Sequence, residues 1–185
     1  IRSRPSVSPS GDCCTTATTY GNDGRLALLY REETNNDRDI YVVIRDQTKK
    51  EELVRKRING TSWKIEGCPM TYFSISPAAK GGGYVAAWPT KGEIYFVRLD
   101  AGGNVLPPGE IKTPGRNGMR TGLIALSTND GSTLVAWKNS EKLGWQLYDK
   151  DGKPSTEKDA SGSVQSAGAG AAGVALDSGR FLLFP

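Results

Sequence analysis

Arg31, Arg38, Asp39 and Arg120 are the residues with the types and placement to hold an anionic ligand. Arginine offers a planar fork of N–H donors that pairs bidentately with a carboxylate. Arg31, Arg38 and Asp39 fall in one charged stretch, REETNNDRD, beside Glu32, Glu33 and Asp37. The competing reading is that these charges pair with one another on a solvated surface, where ion pairs contribute little. A second group is Cys14, Cys68 and Met70, with Cys13 beside them. A Cys14–Cys68 disulfide, a soft-metal site with Cys13 and Met70, and free buried thiols all fit these residue types. No metal and no cofactor is assigned.

The chain has no histidine. A Ser-His-Asp triad and any histidine-ligated zinc are therefore excluded. Three cysteines in 185 residues match neither a disulfide scaffold nor a four-ligand zinc site. A mean hydropathy of −0.45, with no apolar run approaching the roughly 18 residues a membrane helix needs, argues against a membrane span. The net charge is +4. Its densest basic run, Lys49 to Arg57, is interrupted by Glu51 and Glu52. It reads as a solvated edge strand rather than a nucleic-acid stripe, which would want interleaved aromatics. Asn59-Gly60-Thr61 fits the glycosylation sequon, a tripeptide short enough to arise by chance.

The elements that must position these residues are short and repeated. GRLALLYREETNNDRDIYVVI reads as a strand, a charged loop and a second strand. The pattern returns as GGYVAAWPTKGEIYFV, as GSTLVAWKNSEKLGWQLY, and in shortened form as GRFLLFP. Each copy follows a strand of small residues and a Gly/Asp/Asn turn. The aromatic residues Tyr30, Trp88, Trp137 and Phe184 mark equivalent strand ends, 58, 49 and 47 residues apart. Such a period predicts an all-β protein of about four antiparallel β-meander units, the blades of a β-propeller. The expected units are residues 13–62, 66–114, 118–160 and 164–185, in one domain spanning 1–185. Residues 1–10 are an outer strand or an irregular lead-in. A two-sheet sandwich is the bland alternative, but it has no need of small residues in every first strand. Three and a half blades make an incomplete ring. The expectation is either closure by residues 1–10 or completion by a second chain or a missing N-terminal half.

In a meander, the loop between second and third strands shares a face with the start of every first strand. That face is predicted to collect Arg31, Arg38, Asp39, Lys138 and Lys142 with Cys14, Cys68, Met70 and Arg120. Loops on a rigid scaffold are where binding concentrates.

The residues CCTTAT, GRLALLYR, RDIYVV, WKIEGCPM and GGYVAAW together resemble the later blades of bacterial sialidase-like (neuraminidase-type) propeller proteins. The likeness covers most of the chain, through short motifs. It implies a six-bladed propeller, often secreted or periplasmic, that recognises carbohydrate, including anionic sugars. The Asp-box repeat is absent, with RDQTKKEEL, LDAGGNVL and YDKDGKPS at the corresponding places. The Arg-Ile-Pro motif is missing too, and no Tyr/Glu nucleophile pair is assignable by motif. No catalytic residue is carried over. Three readings follow: a carbohydrate-recognising propeller without catalysis, an exo-sialidase completed by further chain, and a protein-interaction propeller.

Overall fold

The computed structural model describes residues 15–46, 51–79, 81–116, 121–139, 141–176 and 179–185, with residues 51–53 by backbone alone. Fourteen strands and no helix make up the described chain, and no helix is long and apolar enough to cross a membrane. The first sheet comprises β1 (Thr16–Tyr20), β2 (Leu26–Thr34), β3 (Asp37–Asp46) and β4 (Glu51–Arg57). The second comprises β5 (Ser74–Pro77), β6 (Tyr84–Thr90), β7 (Glu93–Leu99) and β8 (Ile111–Arg116). The third comprises β9 (Leu123–Ser127), β10 (Thr133–Asn139), β11 (Lys142–Tyr148) and β12 (Ser161–Gln165). The fourth has two strands, β13 (Ala172–Ala175) and β14 (Phe181–Phe184). Every pairing is antiparallel between neighbours in sequence, so each sheet is a meander, and none closes into a barrel.

The sheets stack in chain order. Ala27, Leu29, Ile40, Val42 and Ile44 of the first sheet pack against Tyr84, Ala86, Trp88, Val97 and Leu99 of the second. The opposite face of the second sheet, with Val85, Ala87 and Phe96, meets Leu123, Ala125 and Val135 of the third. Ile124, Ala136 and Leu143 on the far face of the third then meet Leu183 of the fourth. The first strands touch in series, β1 on β5, β5 on β9 and β9 on β13. Strand β6, enclosed on both faces, is buried along its length, which is why YVAAW reads as an unbroken apolar run.

The charged stretch read as a loop is not one. β2 continues through Glu33 to Thr34 and β3 begins at Asp37, with Glu33 opposite Arg38 and Thr34 opposite Asp37. Only Asn35 and Asn36 turn, both with positive φ (54° and 67°). Two successive left-handed residues match the twist of a tight hairpin, and asparagine tolerates that conformation better than most side chains. Lys91-Gly92 closes the β6–β7 hairpin in the same way, with φ of 55° and 77°.

The third sheet and the repeat register can be read directly from the pairing. Strand β12 pairs with β11 and belongs to the third sheet, so that unit extends past residue 160 to Gln165. The hairpin hydrogen bonds Gly21 N to Arg25 O, Thr128 N to Ser132 O and Leu176 N to Arg180 O align the units. They make Leu26, Thr133 and Phe181 equivalent, so the counterpart of Tyr30 and Trp137 is Pro185. Phe184 is the counterpart of Leu29 and Ala136, on the opposite face.

Candidate functional site at the start of the first strands

One end of the stack gathers the β2–β3 and β6–β7 turns with the starts of β1, β5, β9 and β13. The segment after β4 folds back over this end. Arg38 N donates to Trp63 O (2.8 Å) and Ile65 N to Asn36 O (2.9 Å), with a bridge between Asp37 and Lys64. From the connection just before β8, the Glu110 carboxylate accepts from Gly60 N (2.7 Å), Thr61 N (3.1 Å) and the Thr61 hydroxyl, tying the two units together.

Arg31 lies beneath this face rather than on it. It is 1% exposed, donates through Nη2 to the Pro89 carbonyl, and sits 5.0 Å from the Trp63 ring and 5.3 Å from Phe73. Its neighbour on the strand, Tyr30, points to the other face, so the alternation of β2 sends Arg31 inward. Pro89 is the positional equivalent of Arg31 in the next sheet, and the contact joins the two sheets. Lys138 repeats the arrangement in the third unit: fully buried, its ammonium donates to Ser166 O in the connection to the fourth.

Arg38 is also buried. Its Nη2 donates to Gly67 O at 3.2 Å, and its Nε has no hydrogen-bond partner. Asp39 pairs with Arg57 at 3.0 Å and accepts from Asn59 Nδ2 at 3.0 Å. Asn59 is occupied on all sides: its Oδ1 accepts from Ile40 N (2.8 Å) and its Nδ2 also reaches Thr61 O. The sequon asparagine is thus part of the β3–β4 end and not a free surface amide. Cys68 is disulfide-bonded. Its possible partners by composition, Cys13 and Cys14, lie outside the described residues, as does Arg120. Met70 adopts a positive φ of 43° just before β5. The structure therefore brings Arg31, Arg38 and Asp39 to one end but engages all three in holding the fold.

What this end leaves open is a cleft of about 340 Å³. Thr15, Thr16, Tyr72, Phe73, Gly122 and the backbone of Ala169–Ala171 line it. Tyr72 is 39% exposed. Thr15 Oγ1 donates to Thr71 O at 2.6 Å, which fixes that hydroxyl at the rim. Gly122 N donates to Ala169 O and Gly122 O accepts from Lys138 N, both at 2.8 Å. A Cβ on Gly122 would fall 2.8 Å from Ala171 N. Glycine is what lets β9 and the 166–171 connection approach this closely. The cleft thus offers one aromatic face, two threonine hydroxyls and backbone polar groups. Among the described residues, no carboxylate lines it and no group of three or more metal-ligating side chains stands together.

A further cluster was not anticipated. On the outer face of the first sheet, Tyr30 OH donates to Glu32 Oε2 (3.1 Å) and accepts from Arg55 Nε (2.9 Å). Arg55 pairs with Glu32 and lies 4.3 Å from the Tyr41 ring. The i, i+2 spacing of Tyr30 and Glu32 on a strand was the available signal. Burial pushes the Tyr30 phenol up despite the neighbouring guanidinium. The phenol therefore stays protonated at neutral pH, and at 1% exposure it is enclosed.

No protein-family model matches the sequence, and no curated protein does. Among solved structures, the chain is similar to a protein of unknown function from Bacteroides caccae, with a TM-score of 0.53 and 14% identity. The alignment covers 95% of this chain and 55% of that one, so the present chain spans little more than half that protein's length. At this identity the likeness concerns the fold alone.

Proposed function

We propose that the four meander sheets are consecutive blades of a sialidase-like β-propeller, and that the cleft at the start of the first strands binds a saccharide without cleaving it. The observation that carries the reading is the partly exposed Tyr72 ring set beside the Thr15 hydroxyl and backbone groups, with no carboxylate among the described residues of the lining. An aromatic face packs against the C–H face of a sugar, and the hydroxyls and amides meet its O–H groups. Retaining glycosidases need two carboxyl-type groups flanking the bond, which the described lining lacks. Arg31 and Arg38 are buried and engaged elsewhere, so neither serves as the contact for an anionic substituent in this cleft. The blade arrangement draws support from the serial packing of the sheets and the contact of β1, β5, β9 and β13.

The exo-sialidase reading draws on one observation, the Tyr30–Glu32–Arg55 cluster. It is the weaker reading because the phenol is enclosed and held protonated. The Cys68 disulfide supports a secreted or periplasmic location, since such bonds persist in oxidising compartments.

Calorimetry with sialyllactose and lactose tests the proposal against Tyr72→Ala. The expected loss is about tenfold in affinity, the value of roughly 1–1.5 kcal/mol for an aromatic contact. Robust turnover of a fluorogenic sialoside, or unchanged affinity in Tyr72→Ala, refutes it.

A further inference from the structure

One wall of the cleft is made by a segment with almost no side chains. The connection between β12 and β13 reads Ser-Ala-Gly-Ala-Gly-Ala over residues 166–171, so nothing larger than a hydroxymethyl is available for packing. Ala167 to Gly170 are exposed, and Ala169, Gly170 and Ala171 line the cleft. The connection from β4 to β5 is built differently. It buries Ile58 and Phe73 in the core and sets Trp63 and Phe73 against the enclosed Arg31.

Among the described residues, hydrogen bonds place the 166–171 segment instead. Ser166 N donates to Glu141 O (2.7 Å), Gly122 N donates to Ala169 O (2.8 Å), and the Lys138 ammonium donates to Ser166 O. By hairpin register, Lys138 of β10 stands where Arg31 stands in β2. It is fully buried, and a buried ammonium is costly unless its contacts offset the lost hydration. The Lys138 backbone N–H also donates to Gly122 O (2.8 Å). One residue therefore reaches the wall twice, at Ser166 through its side chain and through its backbone at the glycine that holds Ala169. Without side chains to pack, the segment relies on these bonds to offset the entropy of ordering six residues.

We propose that Lys138 is a positioning residue for ligand binding, its enclosed ammonium clamping residues 166–171 as a strap so that the Ala169–Ala171 backbone forms a fixed wall for the saccharide. The inference rests on the saccharide reading of the cleft and adds what sets its affinity. A wall ordered before binding spares the ligand the cost of ordering it. Lys138 is not part of the lining; it acts through Ser166 and Gly122.

Calorimetry with lactose, together with hydrogen–deuterium exchange, tests this on two variants. Lys138→Met keeps an unbranched side chain and removes the ammonium. Gly168→Ala perturbs the strap from outside. Gly168 has a φ of 90°, and no atom beyond its chain neighbours lies within 4 Å of a Cβ placed there, so the cost is confined to the backbone. Each variant is expected to lose about fivefold to tenfold in lactose affinity, the cost of ordering a loosened wall. Amide exchange should quicken over residues 167–171 and stay unchanged in β6. Lys138→Arg, which supplies the kind of donor Arg31 supplies in the first sheet, should recover part of the affinity. Faster exchange throughout β6 in Lys138→Met places that residue in the fold at large, and the surface variant Gly168→Ala then decides. Wild-type affinity in Gly168→Ala with quickened strap exchange overturns the proposal, as does wild-type affinity in Lys138→Met, while Tyr72→Ala remains impaired. A wild-type protein that binds neither lactose nor sialyllactose refutes the reading of the cleft itself, and the proposal with it.

Discussion

Replacing Arg31 by alanine separates a structural guanidinium from a ligand-binding one. In the structure the side chain is enclosed, donates to the Pro89 carbonyl, and lies against Trp63 and Phe73. A hydrogen bond from a charged donor contributes roughly 1.5–3 kcal/mol, and leaving the Pro89 carbonyl unpaired keeps the loss toward the upper end. Each cation–π contact adds about 0.5–1 kcal/mol. Release of a buried charge to solvent offsets part of this. The net expectation is a destabilisation of about 3 kcal/mol. For a chain of this size that corresponds to a fall in Tm of about 6–12 °C. Urea and thermal unfolding, followed by far-UV circular dichroism, measure it. Arg31→Lys keeps the charge but not the planar fork and should fall between alanine and wild type. Unchanged stability with lost saccharide binding would refute the structural role and return Arg31 to the ligand.

The other expectations concern packing and pH. Gly115→Ala on β8 places a methyl carbon 2.2 Å from Trp137 Cδ2, while Gly144 lies against the other part of the same indole. The partly buried ring lies against both glycines, so a loss of about 1–3 kcal/mol is expected from overpacking, and wild-type stability would contradict this packing. The Asn104 side-chain amide at Asp100, the Thr128 hydroxyl at Asp130 and the Lys153 backbone N–H at Asp149, each joined by further backbone donors of the same turn, hold these carboxyls below the ordinary range. Their folded values are depressed, so their contribution is complete above the unfolded value and lost as pH falls through the folded one. Urea midpoints should be level from about pH 8 to 5 and decline below about pH 4. A midpoint unchanged down to about pH 3 would contradict this.

Much of the chain's architecture was legible locally. Alternation and apolar runs located LALLY, YVAAW, EIYFV and GLIALS as strands, because burial on one face or two leaves a periodic trace. Turn chemistry located Gly21–Gly24 and Thr128–Gly131, where glycine takes up the positive φ. The limits of that reading are physical. Thr34 and Asp37 read as loop because their residue types are polar; they are strand because the Asn35-Asn36 hairpin sets the cross-strand register. A register is a relation between strands, and a one-residue shift exchanges the two faces. The same property misplaced Phe184, one residue from its true counterpart.

The putting of arginines to work followed the same division. Linear order shows that Arg31, Arg38 and Asp39 are close together. Whether a guanidinium faces solvent depends on which side of β2 or β3 it occupies and on what the segment from Gly60 to Phe73 covers. Cys68 in a disulfide, Asn59 saturated with hydrogen bonds, and Tyr72 open at the mouth of the cleft are likewise products of segments distant in sequence. The sequence by itself determined the class of fold, the repeat, and the exclusion of histidine chemistry, since these depend on composition and local period. Only the tertiary structure decided which charges are enclosed and which aromatic is exposed, because burial is a property of neighbours brought together by packing.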